Sequence, residues 1–195
     1  MPGFPGADFA PKGDRTMKAT GIVRKIDELG RVVIPKEVRR TLKIRDGEPL
    51  EIFTDDAGRI ILKKYSTIST LKDLALAAAR ALNSTTGRAV VITDRDRVVA
   101  QAGLDADLVD QETGPAVERC LREMRALRAA PDERLVTTKA ADDWIDYYVA
   151  PMYDGNSMHG TMALVRGRGE DELTGEEEAA TRSAAAVLAG MLEAG

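Results

Sequence analysis

Residues 30–44 read GRVVIPKEVRRTLKI. The β-branched run Val32, Val33, Ile34 has the signature of a short strand opening at Arg31, and it stops at Pro35, which has no N–H to give to a ladder. A proline suits the first position of a helix, where an N–H would have no intrahelical acceptor. Val38 and Leu42 then stand four apart and make one apolar stripe. A helix of this length is not stable alone and must pack on strands. Around this small apolar unit stand Arg31, Lys36, Arg39, Arg40 and Lys43, more cations than solubility requires.

Outward from that stretch, residues 20–27 (TGIVRKID) predict a preceding strand, closed by the loop Glu28-Leu29-Gly30. Residues 49–54 (PLEIFT) and 59–64 (RIILKK) predict two more strands across the turn Asp55-Asp56-Ala57-Gly58. Four strands and one helix thus fall within residues 17–65, close to the size at which a core becomes insufficient. Apolar residues occupy both parities of these strands: Ile22 and Val23, Val32 and Val33, Ile60 and Ile61. Both faces therefore need burial, and dimerisation supplies it most simply. Residues 1–16 (MPGFPGADFAPKGDRT) lack the regular pattern that opens at Met17 and are expected to be a disordered leader.

Charge divides the chain at the same place. Residues 17–65 hold twelve Lys and Arg against eight Asp and Glu, a net of +4; residues 66–195 hold fourteen against twenty-two, a net of −8. The overall −4 thus conceals a basic module joined to an acidic one, a split that suggests a polyanion-binding part and a separate partner. Cys120 is the sole cysteine, so no intrachain disulfide forms and a reducing compartment is expected. No stretch approaches the roughly 18 consecutive apolar residues of a membrane helix.

Residues 66–70 read as a linker, followed by a helix over 71–82. Residues 89–93 and 98–100 flank the turn residues 94–97 as a hairpin. A helix is expected over 113–128 with Val117, Cys120, Leu121 and Met124 on one side. Strands are expected at 135–138, 147–153 and 158–165, and Thr174-Gly175-Glu176-Glu177 has the pattern of a capping box for a last helix reaching about 192. The order helix, two strands, helix, three strands, helix describes an α+β domain, residues 71–195, with an antiparallel sheet.

The run MKATGIVRKIDELGRVVIPKEVRRTLKIRDGEPLEIFTDDAGRIILKKY, and within it the spacing of DELGRVVIPKEVRR, resembles the AbrB-type swapped-hairpin DNA-binding domain. Its continuation through YSTISTLKDLA into a helix-flanked sheet resembles the SpoVT family of sporulation transcription regulators, whose C-terminal half is GAF-like. The resemblance implies an interleaved dimeric β-barrel over 17–65, in which the partner covers each chain's second apolar face. It implies double-stranded DNA as partner, with Arg24, Arg31, Arg39 and Arg40 at the family's contact positions. Lys18, Lys25, Lys36 and Lys43 are supplements by charge. A cytoplasmic, nucleoid-associated homodimer is expected, or a homotetramer where the GAF-like domain uses a different partner, with no cofactor and no membrane.

Several features admit a plainer reading. His159 stands without Cys or carboxylate neighbours at ligand spacing and reads as a strand-edge residue rather than a metal ligand. Cys120 reads as a small buried hydrophobe rather than a redox sensor. Trp144, Tyr147, Tyr148 and Tyr153 either line a pocket for a small-molecule effector or belong to the core. Glu176, Glu177 and Glu178 complement a helix dipole. There is no Walker loop or nucleophile elbow, so an enzyme finds no support. The rival readings are an antitoxin-like interaction module and a ligand sensor with secondary DNA binding.

Overall fold

The computed structural model describes residues 20–193 apart from 71, 131–132 and 142–143. The expected leader and Lys18 lie outside the described residues. The chain divides into two compact units, one up to Tyr65 and one from Ser66 onward.

In the first unit, α1 spans Lys36–Thr41. Pro35 precedes it in a non-helical conformation and accepts the first helical bond, from the Arg39 N–H. The helix ends as Lys43 turns to φ 53°, which lets the Ile44 N–H reach back to the Arg39 carbonyl at 2.7 Å. This six-to-one closure normally recruits glycine. Strands β1 (Leu50–Thr54) and β2 (Ile60–Lys64) pair antiparallel, with Ile52 opposite Leu62. The Lys64 ammonium donates to the Lys43 carbonyl at 2.9 Å, which ties the hairpin to the end of α1.

The strands expected at 20–27 and 31–34 do not form within the chain. Only the closing turn between them is made: the Asp27 N–H donates to the Arg31 carbonyl at 3.0 Å, and the Gly30 N–H to the Asp27 carbonyl at 2.9 Å. The physical reason is visible in the exposure. Val23 is 89 % exposed, Val33 70 % and Ile52 67 %, so nothing within one chain covers the apolar faces that would hold a ladder in place.

The second unit is a five-stranded antiparallel sheet with helices on both faces. Its strands are β3 (Ala89–Thr93), β4 (Val98–Ala102), β5 (Leu127–Arg128), β6 (Trp144–Tyr153) and β7 (Met158–Gly167), in the order β4-β3-β7-β6-β5. Helices α3 (Lys72–Thr86) and α5 (Gly175–Glu193) share a core with one sheet face, while α4 (Pro115–Glu123) packs on the other. Alternation explains the near-continuous apolar runs. Val90, Ile92, Tyr148, Met162 and Leu164 enter the α3/α5 core, and their neighbours Val91, Tyr147, Ala163 and Val165 enter the α4 core. Between β7 and β3 the chains approach closely at Gly160, where a Cβ would stand 1.9 Å from the Thr93 carbonyl oxygen.

Three expectations require correction here. Residues 67–70, read as linker, form a short helix α2 with Ile68 fully buried in the α3/α5 core, and α3 continues to Thr86 rather than 82. The helix expected over 113–128 stops at Glu123, because Met124 adopts φ 53° and the chain turns back to place Leu127 opposite Val149 in β6. Residues 135–138 are not a strand. Leu135 and Val136 are buried, but among the described residues their backbone makes only a bridge to Thr113 and a bond from the Gly114 N–H. The capping box of α5 is formed reciprocally: Thr174 N–H to Glu177 at 2.7 Å, and Glu177 N–H to the Thr174 hydroxyl at 3.2 Å.

Candidate nucleic-acid interface

The loop between the two unpaired segments holds one arginine firmly. One carboxylate oxygen of Asp27 accepts the Leu29 and Arg31 N–H groups at 3.0 and 2.8 Å, and the other accepts the Arg31 Nε–H at 2.7 Å. Gly30, at φ 76°, makes this tight return possible. These bonds, the Arg31 backbone first, hold the Asp27 carboxyl below its ordinary range, so the carboxylate persists and fixes the guanidinium plane. The side chain of Arg31 still stands 69 % exposed.

Lys36, Arg39, Arg40 and Lys43 follow the i, i+3, i+4, i+7 spacing of one helical face and its exit. Arg39 is half-buried and pairs through Nη1 with Asp46, while its Nε is buried without a hydrogen-bond partner. Arg40 and Arg24 are exposed, and neither has an ion-pair partner among the described residues. Lys25, Lys36 and Lys43 are exposed as well. The arrangement offers two oriented guanidinium groups and two exposed ones, a combination suited to phosphates and base edges.

One further arginine went unremarked in the sequence. Asp55 accepts the Ala57 and Arg59 N–H groups at 3.0 Å each, and the Arg59 Nε–H at 2.5 Å, with Gly58 at φ 73°. The bonds from Arg59, its backbone first, outweigh burial and lower the Asp55 carboxyl as well. The three bonds of the carboxylate repeat those of Asp27 in the first turn. The signal was present as the spacing D-x-x-G-R, which occurs at 27–31 and at 55–59.

The aromatic candidates of the second unit do not form one cluster. Trp144 and Tyr147 meet edge to face at 6.0 Å in the α4 core, whereas Tyr148 points through the opposite sheet face, its hydroxyl accepting from Arg182 at 2.8 Å. Tyr153 lies at the end of β6 and donates to the Gly155 carbonyl. Adjacent residues of a strand cannot share a face, and this separates Tyr147 from Tyr148. An apolar groove lies elsewhere in the second unit, between Leu74, Ala78 and Ala81 of α3 and Ala184, Val187 and Met191 of α5.

Cys120 is buried, and burial pushes its thiol up to about 12 against the pull of Arg119, which favours the protonated thiol. His159 sits in β7 with its Nε2 2.6 Å from Asp154. The Ser157 N–H, His159 and the Asn156 N–H together hold the Asp154 carboxyl at about 2. Among the described residues, no group of three or more His, Cys, Asp or Glu is arranged to hold a metal ion. No helix among them is long and apolar enough to cross a membrane.

Comparison with known proteins covers both units. Residues 70–193 match the family described as stage V sporulation protein T C-terminal, transcription factor, and residues 23–69 match antidote-toxin recognition MazE, bacterial antitoxin. The chain is 41 % identical over 180 residues to stage V sporulation protein T of Bacillus subtilis (strain 168), spanning 91 % of this chain and 99 % of that protein. A quarter of the chain (25 %) is 69 % identical to the N-terminal DNA recognition domain of the Bacillus subtilis transition-state regulator AbrB, covering 91 % of that solved chain at a TM-score of 0.23. The GAF-B domain of DevS from Mycobacterium smegmatis matches 63 % of this chain and 92 % of its own at a TM-score of 0.53 and 15 % identity, a likeness of fold.

Proposed function

Since the chain belongs to the stage V sporulation protein T family of transcription factors, and carries an AbrB-type DNA-recognition domain, we propose that it is a homodimeric regulator of sporulation genes. It grips duplex DNA through Arg24, Arg31, Arg39 and Arg40, assisted by Lys18, Lys25, Lys36 and Lys43. The observation that carries this reading is the coincidence, in the first unit, of an oriented basic set with apolar segments that one chain leaves uncovered. A second copy covers those segments and doubles the positive field, which favours association with a polyanion. The acidic second unit serves as a GAF-like regulatory domain. Its α3/α5 groove suits a further copy, giving a tetramer, and a small-molecule effector bound by this unit modulates the barrel. The setting is the cytoplasm, at the nucleoid.

Binding rests mainly on phosphates, with about 6–10 neutralised per dimer, so affinity falls steeply with salt. The test compares the intact chain with Arg39→Ala/Arg40→Ala across several salt concentrations. A loss of at least about a hundredfold in the variant, with dimer and fold intact, is expected from two charge-assisted contacts per subunit. Equal binding by the two proteins, or an affinity insensitive to salt, overturns the reading.

The match of residues 23–69 to an antitoxin family favours one second reading, a module that captures a protein toxin. Co-purification of a stoichiometric nuclease-type partner, with no DNA binding by the dimer, would establish it instead.

A further inference from the structure

Within the first unit, the turn that presents Arg31 is built twice. Asp27-Glu28-Leu29-Gly30-Arg31 and Asp55-Asp56-Ala57-Gly58-Arg59 share the aspartate, a second acid, the glycine and the arginine at equal spacing. Each is followed by an apolar β-branched pair, Val32-Val33 and Ile60-Ile61. The likeness extends to the bonds made by the aspartate and the glycine of each turn. In both, the aspartate N–H donates to the arginine carbonyl (3.0 and 3.2 Å), and the glycine N–H to the aspartate carbonyl, at 2.9 Å each. In both, one carboxylate oxygen takes two backbone N–H groups and the other takes the arginine Nε–H.

Closing a hairpin does not need the arginine. The glycine supplies the positive φ and the aspartate supplies the acceptor, so any residue after the glycine completes the return. What the arginine adds is a guanidinium locked through Nε, with its plane set and the side chain still 55 % exposed at Arg59. Such a group loses little rotamer freedom on meeting an anion, which makes it a better phosphate ligand than a free arginine. The neighbouring acid does not argue against this, because Glu28 stands in the same relation to Arg31 as Asp56 does to Arg59.

We infer that Arg59, held by Asp55, is a second built phosphate-binding site of the first unit, engaging the DNA backbone as Arg31 does. The dimer then presents four such loops, and a duplex is held at both hairpins of each chain. This inference rests on the DNA-binding reading given above and adds to it a loop outside the 24–40 stretch.

The experiment uses the full chain, a mixed-sequence DNA duplex and a series of salt concentrations, with Arg59→Gln, Arg59→Lys and Arg39→Ala/Arg40→Ala compared with the unaltered protein. Arg59→Gln is expected to weaken binding about tenfold near 0.1 M salt and to lower the slope of log affinity against log salt by about 2, one phosphate per subunit. Arg59→Lys keeps the charge but not the fork, and is expected to keep the slope. A purely structural arginine predicts that Arg59→Gln keeps the slope of the unaltered protein, just as Arg59→Lys does, so the Gln variant is the one that discriminates. If Arg59→Gln fails to fold, arginine modification of the unaltered protein decides the matter, since duplex DNA should protect Arg59 and Arg31 together. An unchanged slope in a folded Arg59→Gln, or Arg59 left unprotected while Arg31 is covered, overturns the inference, and the DNA-binding reading survives if Arg39→Ala/Arg40→Ala still abolishes binding. Absence of binding by the unaltered protein overturns both.

Discussion

From residue 66 onward every strand finds its neighbours within the chain, and both sheet faces are closed by helices of the same chain. Between residues 20 and 65, one hairpin is laddered and its twin is closed at the turn alone. The two regions are built from similar residues, β-branched strands with glycine turns. They differ in what covers them. In the second unit Val90, Ile92, Met162 and Leu164 are fully buried, while in the first Val23, Val33 and Ile60 are largely exposed. An apolar strand is stable only when its faces are removed from water, so within one chain the first unit lacks the cover that the sheet of the second unit has.

The contrast breaks first at Val33. It is exposed in one chain yet is expected to behave as core, so Val33→Asp should convert the barrel dimer to monomer and weaken DNA binding at least about a hundredfold. Light scattering after size exclusion, with DNA titration, checks this. An unchanged dimer would make the exposed residues of the first unit a true surface. In the second unit, Leu164→Ala should cost about 2–5 kcal/mol. The unfolding is followed by the fluorescence of Trp144, the only tryptophan, which lies in that unit. Dimerisation through the barrel should be unaffected, and its loss would show that the units are coupled.

The smallest effect concerns acid. Because Asp154 is held at about 2 in the folded state against an ordinary 3.8, it stabilises the second unit above about pH 4, and that contribution disappears as pH falls towards 2. Asp154→Asn should therefore flatten the acid limb of the Trp144 unfolding curve without changing the first unit. An acid limb identical in both proteins would remove Asp154 from the account.

Much of this was legible beforehand, for identifiable reasons. Hairpins announced themselves through alternation and turn residues, and the Thr174–Glu177 cap through its spacing. The end of α4 was not legible, because Met124 takes a left-handed conformation without the glycine that would signal it. Leu135 and Val136 imitate a strand because burial, not pairing, demands their hydrophobicity. Of the interface, the basic set around α1 could be read from charge and resemblance. The ion pairs that orient Arg31 and Arg39 could not, since Asp27 and Asp46 become partners only when loop and helix exit are folded. Arg59 could have been found by aligning the chain with itself.

By itself the sequence determined the division into a basic and an acidic part, the location of the turns and the types of most elements, because periodicity, glycine placement and charge act over a few residues. Tertiary structure alone decided which apolar run became a strand, which tyrosine faced which core, and which arginines were clamped. Those outcomes depend on groups distant in the chain meeting at one place. The first hairpin marks the limit of both: its sequence asks for a strand pair, and a single chain has no surface on which to build it.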